Sequence, residues 1–328
     1  MNKNLLLTIA IPNYNGADRI ADCVKKCRNI NLDKKNYEIL IIDNKSTDNS
    51  VKICQSLKKT IKNIRLIVNE NNVGRVGNWN KCIEHAKGKY LMFMFVNDRL
   101  ADNNNIYDLI KIMEKNTFVN IFSPFYFVDA IGKQHVENFL STKSLPMTVL
   151  EYVNFSSFNP WICGTLQSNI FRTKAIKCLR FDMNNELTSD LRFCAEAALN
   201  GNKVYYNSHP NLIWHASNRY HFTIKVEDLI RESIDCCYFI RKKANLPFNS
   251  TYVAAVAATM FFCALHHIIK PKSCSKQSKH LTALRHTLNL LNKTPFSTFL
   301  FLVIILTRGV KKIFGVRRLT LLQKQKYL

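Results

Sequence analysis

The chain has 328 residues, 47% of them hydrophobic and 21% charged, and its formal net charge is +24 at pH 7. This composition excludes a disordered chain and is typical of a globular protein with one large domain or two smaller ones. The 11 cysteines include no CxxC pair, so the sequence favours a reducing compartment and no disulfide framework.

The positive charge is concentrated toward the C-terminal end, because no Asp or Glu follows Asp235 while Lys and Arg continue. Such a surface is either generally basic and soluble, or it lies against an anionic partner such as phospholipid or nucleic acid. At the other end, the apolar run over residues 5–11 leads directly into Pro12 and polar sequence. We therefore expect no signal peptide.

The first hundred residues alternate short apolar runs with helical patterns, which predicts βαβ units and a parallel sheet. The apolar runs cover residues 5–11, 39–42, 66–68 and 90–96. Helices are expected to begin near Gly16, at residues 46–48 and after Gly77, with a fourth over 106–113. The spacing i, i+3, i+4, i+7 predicts the inward faces of the first three helices. These faces are Ile20, Cys23, Val24 and Cys27 in the first helix; Ile53, Cys54, Leu57 and Ile61 in the second; and Trp79, Cys82, Ile83 and Ala86 in the third.

A polar cluster follows each of these four apolar runs. The clusters are residues 12–15, 43–48, 71–78 and 96–98. Strands of a parallel sheet covered on both faces are apolar throughout, and ligands bind beyond their carboxyl ends. Since those ends share one edge of the sheet, the four clusters together predict a single site.

The pattern is looser in the second half of the chain. The apolar stretch 118–128 predicts a further strand, and residues 130–220 suggest a mixed sheet with one or two helices, one of them over 191–199. After about residue 222 the sequence is helical in pattern, with apolar stretches over 253–269 and 296–306.

Neither of these C-terminal stretches is a comfortable membrane span. The first is near the lower length limit and contains two His, and the second is about half of the ~20 residues that a hydrocarbon core requires. A short apolar helix flanked by basic residues favours an in-plane anchor on an anionic membrane surface. The alternative is an ordinary buried helix that closes the domain.

Three residues in the first half could carry ligand chemistry. Asp98 follows a strongly apolar strand, where a carboxylate can hold a divalent cation that bridges a diphosphate, or it forms only an Asx-turn. Asp43 can accept hydrogen bonds from a base or a ribose, or it is a turn residue. Tyr14 offers a ring that can stack on a base. The 74–78 loop contains neither GxGxxG nor GxxxxGK[ST], so a dinucleotide fold and a P-loop are not supported.

The motifs of the first half resemble those of the family 2 glycosyltransferases of the GT-A fold. They are Ile11-Pro12-Asn13-Tyr14-Asn15, Ile42-Asp43-Asn44-Lys45-Ser46-Thr47-Asp48, Asn72-Val73-Gly74 with Asn78-Trp79-Asn80, and Gly88-Lys89-Tyr90 leading to Asn97-Asp98. The match runs in order over roughly residues 5–220. The resemblance implies an α/β, Rossmann-like and mostly parallel sheet flanked by helices, with a helical, basic C-terminal extension. It also implies inverting transfer from a nucleotide-diphospho-sugar, with Mn²⁺ or Mg²⁺ at a DxD-type site.

The resemblance assigns roles to individual residues of this chain. Nucleotide-donor contacts are implied at Pro12, Tyr14, Asn15, Asp43, Gly74, Asn78 and Asn97. Metal contacts are implied at Asp98 and His215. Apart from the resemblance, Trp161 with Gly164 and Thr165 could form an acceptor wall on which a sugar ring packs. The sequence departs from the family pattern at 96–98, where members carry two or three acids, so weaker metal affinity is expected.

Asp190 is the expected catalytic base. Direct displacement at the anomeric carbon needs a group that takes the proton of the acceptor hydroxyl, and Asp190 lies where the family has an acidic pair, with Ser189 in place of the first acid. The alternative is that Asp190 caps the following helix. The alternative for His215 is a structural role, and the alternative for Trp161 is a buried position in the core.

These observations predict a catalytic domain over 1–221, with a nucleotide-binding half (1–100) and an acceptor-binding half (101–221), and a helical basic region over 222–328. The expected function is transfer of one sugar to a lipid-linked saccharide in O-antigen, capsule or related envelope polysaccharide synthesis, with cytoplasmic localisation on the inner face of the plasma membrane. The alternatives are an inactive nucleotide-sugar-binding scaffold and a nucleic-acid-binding protein. No nucleic-acid motif is present, so we expect no nucleic acid partner.

Overall fold

The structure is a computed structural model that describes residues 5–28, 30–128, 134–137, 141–158, 165–215, 224–269, 279–293 and 301. The chain divides into two units. The first consists of Met1–Arg219 and Asp235–Leu246, and the second of Tyr220–Ile234 and Pro247–Leu328.

The first unit begins with alternating strands and helices. They are β1 (Leu7–Asn13), α1 (Ile20–Cys27), β2 (Tyr37–Asp43), α2 (Ser50–Thr60), β3 (Ile64–Val68), α3 (Gly74–His85), β4 (Tyr90–Phe93), β5 (Arg99–Leu100) and α4 (Ile106–Lys115). The later elements are β6 (Asn120–Phe122), β7 (Phe125–Val128), β8 (Gln134–Glu137), β9 (Leu145–Thr148), α5 (Val149–Phe158), β10 (Asn169–Arg172), α6 (Thr173–Ile176), α7 (Ser189–Leu199), β11 (Lys203–Tyr206) and β12 (Leu212–His215).

These strands form two sheets. The larger has the order β3-β2-β1-β4-β10-β6-β11-β9, and the smaller has the order β5-β12-β7-β8. β1 pairs in parallel with β2 and β4, and β2 pairs in parallel with β3. The predicted parallel sheet is therefore present in the first hundred residues, and the carboxyl ends of four strands lie at one edge.

Helices cover both faces of this sheet, and all seven residues of β2 are buried for that reason. The predicted inward face of α1 is confirmed, because Ile20, Cys23, Val24 and Cys27 are all at most 1% exposed. In α2 only Cys54 of the predicted face is fully buried, while Ile53, Leu57 and Ile61 pack against the core from partly buried positions. The predicted face of α3 is buried throughout.

Three predicted boundaries are wrong. Helix α2 begins at Ser50, not at 46–48, because Asp43 and Asp48 accept hydrogen bonds from the backbone of Ser46 and Ser50 and hold this segment as a loop. Helix α3 begins at Gly74, whose φ of +76° turns the chain into the helix, so Gly77 lies inside it.

The third error is the single strand predicted over 118–128. The stretch forms β6 and β7, which belong to different sheets. Pro124 stands between them and cannot donate to a strand ladder, and the apolar pattern alone does not show this break.

The described secondary-structure elements of the second unit are helices. Helix α8 (Val226–Lys243) begins in this unit and continues into the first, and α9 (Ser250–Ile269) and α10 (His280–Asn289) follow, ending in a 3-10 turn at Leu290–Lys293. Within the part of the chain that the structure describes, no helix combines the length and the apolar character needed to cross a membrane. The apolar stretch 296–306 lies outside the described residues except for Phe301.

Candidate active site

The loops that follow β1 and β2 are joined by direct hydrogen bonds. Asn13 Nδ2 donates to Asp43 Oδ2 at 2.7 Å, and the backbone N–H of Asn44 donates to the carbonyl of Asn13 at 2.8 Å. Gly16 lies beside Val96, since a Cβ on it would lie 3.6 Å from Val96 Cγ1. Three of the predicted polar clusters therefore meet at the carboxyl edge of the sheet.

Asp43 is fully buried, and both of its oxygens are engaged within the protein. Besides Asn13, it accepts hydrogen bonds from the backbone N–H of Ser46 at 2.8 Å and from Ser46 Oγ at 2.7 Å. Hydrogen bonds to an ionised carboxylate are about twice as strong as neutral ones. Asp43 thus fixes the geometry of the two loops, and its contact with a nucleotide stays a prediction.

A network of asparagine amides joins the 71–78 cluster to the same edge. Asn44 Nδ2 donates to Asn72 Oδ1 at 2.7 Å and to the carbonyl of Gly74 at 3.1 Å. Asn69 Nδ2 donates to Asn44 Oδ1 at 2.9 Å and to Asn78 Oδ1 at 3.0 Å. Asn78 is buried within this network, so the structure shows it holding α3 against β2. Sequence reasoning included Asn44 only as a member of the 43–48 cluster and missed Asn69.

Tyr14 is the exposed aromatic group of the site. Tyr14 is 49% exposed, whereas the next residue, Asn15, is held through both its backbone N–H and its side-chain amide oxygen. Asn15 N–H donates to Ser46 Oγ at 2.9 Å, and Asn15 Oδ1 accepts from the backbone N–H of Thr47 at 2.9 Å. Pro12 is partly buried in β1. The loop is rigidly held while the ring of Tyr14 faces solvent, as stacking on a flat ligand requires.

Asp98 is buried beneath the loop that follows β4. It is 1% exposed, Gln167 Nε2 donates to its Oδ2 at 2.8 Å, and its Oδ1 has no hydrogen-bond partner among the described residues. Burial raises the pKa of the Asp98 carboxyl to about 8. Gln167, which the sequence did not single out, lies in the 3-10 turn Leu166–Ser168.

The residues near Asp98 do not fit a divalent cation. Asn97 Oδ1 accepts a hydrogen bond from Arg19 Nη1, so the amide oxygen faces a positive charge. Mg²⁺ and Mn²⁺ prefer several oxygen ligands, including carboxylates. In the described residues no group of three or more His, Cys, Asp or Glu could hold a metal ion. The side chain of His215, at the end of β12, lies outside the described part.

Asp190 lies in the first turn of α7 and is partly exposed. The N-cap residue is Thr188, which makes no side-chain cap hydrogen bond, and Asp190 Oδ1 accepts from the backbone N–H of the adjacent Leu191 at 3.0 Å. Asp190 is therefore not the N-cap residue of this helix. Burial raises the pKa of the Asp190 carboxyl to about 6, and the nearby guanidinium of Arg75 acts in the opposite direction.

Arg75 connects α7 to the carboxyl edge of the sheet. It follows Gly74 at the start of α3, its guanidinium lies 5.1 Å from the ring centroid of Trp79, and its Nη2 donates to the carbonyl of Glu186 in the loop before α7. This contact brings Asp190 to the side of the sheet where the four loops meet. Sequence reasoning did not identify Arg75.

The predicted acceptor wall is only partly described. Thr165 precedes the 3-10 turn and its carbonyl accepts hydrogen bonds from Ser168 and Asn169, while its buried Oγ1 has no partner within the part of the chain that the structure describes. Trp161 and Gly164 lie outside the described residues. Thr165 is therefore next to the 3-10 turn that contains Gln167, the residue that donates to Asp98.

Residues 8–179 match the model of glycosyl transferase family 2. The chain belongs to this family. The structure of Staphylococcus aureus TarS residues 1–349 in complex with UDP-GlcNAc is similar to it, with a TM-score of 0.63 at 16% identity over 88% of this chain and 82% of that chain. Both the predicted family and the predicted GT-A fold are confirmed.

Two curated relatives are similar over parts of the family 2 chain. A poly(ribitol-phosphate) beta-glucosyltransferase of Bacillus spizizenii is 38% identical over 29% of this chain and 15% of its own length. A dolichyl N-acetyl-alpha-D-glucosaminyl phosphate 3-beta-D-2,3-diacetamido-2,3-dideoxy-beta-D-glucuronosyltransferase of Methanococcus voltae is 26% identical over 70% of each chain. The chain thus spans a small part of the first relative and about two thirds of the second.

Proposed function

We propose that this family 2 protein transfers one sugar from a nucleotide-diphospho-sugar to a saccharide acceptor with inversion at the anomeric carbon. The observation that supports this most directly is the meeting of the loops after β1, β2, β3 and β4 at one edge, with Asp190 linked to that edge through Arg75. This arrangement supports a donor site and a carboxylate base on the same side of the sheet.

In the proposed reaction Asp190 takes the proton of the acceptor hydroxyl. The new bond from this oxygen to the anomeric carbon forms as the bond to the diphosphate oxygen breaks, and the nucleoside diphosphate leaves with the electron pair. Asp190 must be ionised to act, which requires a pH above its pKa of about 6. No step is routed through a metal ion, because the donor atoms around Asp98 do not fit one.

Donor binding is assigned to the segment after β1 and the loops that it contacts. The exposed ring of Tyr14 is proposed to stack on the base, and the 43–48 and 71–78 clusters are proposed to surround the ribose and diphosphate. The buried bonds of Asp43 and Asn78 hold these loops in place. Preorganised loops of this kind lower the cost of ordering on binding.

The acceptor is proposed to be a lipid-linked saccharide of an envelope polysaccharide, such as O-antigen or capsule. The names of the two relatives, one acting on a poly(ribitol phosphate) and one on a dolichyl phosphate-linked sugar, support this class. The basic region after residue 222 is proposed to hold the enzyme on the anionic cytoplasmic face of the plasma membrane.

A thermal-shift screen of nucleotide-sugars tests the proposal. One nucleotide-sugar is expected to raise the Tm by about 5 °C at 100 times its Kd, because binding to the folded state adds about 2.7 kcal/mol. Tyr14→Ala should remove most of this shift, whereas Leu150→Ala, a comparably exposed apolar residue, should not. Binding followed by no release of nucleoside diphosphate with any acceptor would favour the alternative of an inactive binding scaffold.

Arg75→Met should move the acid limb of the pH profile of kcat/KM to higher pH. The Arg75 guanidinium favours the ionised form of Asp190, so its loss raises the pKa of that carboxyl. The variant is expected to lose more activity at pH 6 than at pH 8.5. Lys81→Met removes an exposed positive charge from the same helix and is the matched control. An unchanged pH profile in Arg75→Met would show that Arg75 does not affect the ionisation of the base, Asp190.

A further inference from the structure

Arg19 and Asn97 form a contact between the loops of two neighbouring parallel strands. Arg19 lies between β1 and the first residue of α1, Asn97 lies just after β4, and β1 pairs with β4. Arg19 Nη1 donates to Asn97 Oδ1. The contact therefore lies at the carboxyl edge of the sheet, where the proposed donor site is.

The Arg19 guanidinium is held in place by hydrogen bonds, but its positive charge is not neutralised. Arg19 Nε lies 3.0 Å from Asp18 Oδ1, but the Asp18 side chain is 73% exposed, so water screens this pair. Arg19 is itself 35% exposed, and its Nη2 has no hydrogen-bond partner among the described residues. Arginine remains protonated at any physiological pH, so a positive charge with an available donor stands at this edge.

The contact between Arg19 and Asn97 also opposes the binding of a divalent metal ion. A metal ion at the 96–98 cluster would have to displace Arg19 from Asn97 Oδ1 or share that oxygen with it, and the two positive charges would repel each other. Asp98, the one carboxylate of the cluster, is 1% exposed and bonded to Gln167. The side chain of Val96 contributes no ligand atom.

We propose that the Arg19 guanidinium, held in place by Asn97, binds the donor diphosphate in place of a divalent cation. Donor binding is then independent of metal ions. Guanidinium groups bind phosphate oxygens through parallel N–H donors. As the bond between the anomeric carbon and the diphosphate oxygen breaks, the electron pair stays on the diphosphate, and Arg19 offsets the charge without giving up its proton. This inference rests on the proposed function.

Calorimetric titration of the full chain with the nucleoside diphosphate of the best donor provides the test. Binding is expected to be unchanged by EDTA, and Arg19→Met is expected to weaken it about 10- to 100-fold, as for a lost charge-assisted hydrogen bond. Arg19→Lys should restore part of the affinity. Arg28→Met, at the other end of α1, is the matched control and should bind as the wild type does.

A second measurement follows the metal alone. Mn²⁺ added to the protein without nucleotide should keep the electron paramagnetic resonance signal of the aqueous ion. Binding of the diphosphate only in the presence of Mn²⁺, or full affinity in Arg19→Met, would overturn this inference while leaving the proposed function intact. Absence of binding by every nucleoside diphosphate, with and without Mn²⁺, would overturn both.

Discussion

Asp190→Asn is expected to lower kcat for sugar transfer by about 10²- to 10⁴-fold, the usual contribution of a positioned general base. The amide keeps the size of the side chain and can still accept from the N–H of Leu191, so α7 should form normally. The substitution removes the group that takes the acceptor proton and leaves the donor site untouched. Nucleoside diphosphate release and donor affinity, measured on the same sample, separate these two effects.

Glu186→Gln is the matched control for this variant. It makes the same change of charge in the loop before α7, its side chain is exposed, and its backbone carbonyl is the atom that accepts the hydrogen bond from Arg75 Nη2. The control should keep wild-type activity. In the wild type, kcat/KM should rise with pH through about 6, where Asp190 ionises. A fully active Asp190→Asn enzyme would exclude Asp190 as the base.

The first hundred residues were predictable because local patterns determine their structure. The spacing of Ile20, Cys23, Val24 and Cys27 is that of one helix face, and these residues are buried in α1. A strand buried on both faces must be apolar, which made β2 visible in the sequence. Such signals depend on neighbours within a few positions along the chain.

The contacts that define the site join residues far apart in sequence, and no local pattern reveals them. Arg19 and Asn97 are 78 positions apart, Gln167 and Asp98 are 69 apart, and Arg75 and Glu186 are 111 apart. The motif resemblance placed polar residues at the correct edge, but it could not show which oxygens are already bonded. Asn97 Oδ1, for example, already accepts a hydrogen bond from Arg19. The positive charge beside it therefore belongs to a guanidinium.

Asp43 and Asp98 illustrate two different uses of a buried carboxyl at the same edge. Asp43 is surrounded by donors that join β1 to β2, whereas Asp98 accepts a bond from Gln167 on one oxygen and its other oxygen has no partner in the described ranges. Burial penalises the charged form of a carboxyl unless hydrogen bonds compensate. Asp43 ends one apolar strand and Asp98 follows another strand of the same sheet, so only the tertiary contacts distinguish their roles.

Asp43→Ala is expected to destabilise the protein by about 3 kcal/mol or more, because it leaves the Ser46 N–H, Ser46 Oγ and Asn13 Nδ2 without their acceptor in a buried position. The midpoint of urea unfolding measures this loss. Asp108→Ala, an exposed acid on α4, should cost less than about 1 kcal/mol. Since the same bonds hold the segment that carries Tyr14, Asp43→Ala should also weaken donor binding under conditions where the variant remains folded. A variant with the wild-type midpoint and wild-type donor affinity would show that these loops keep their geometry without the carboxylate, and the joint assignment of stability and donor binding to Asp43 would fail.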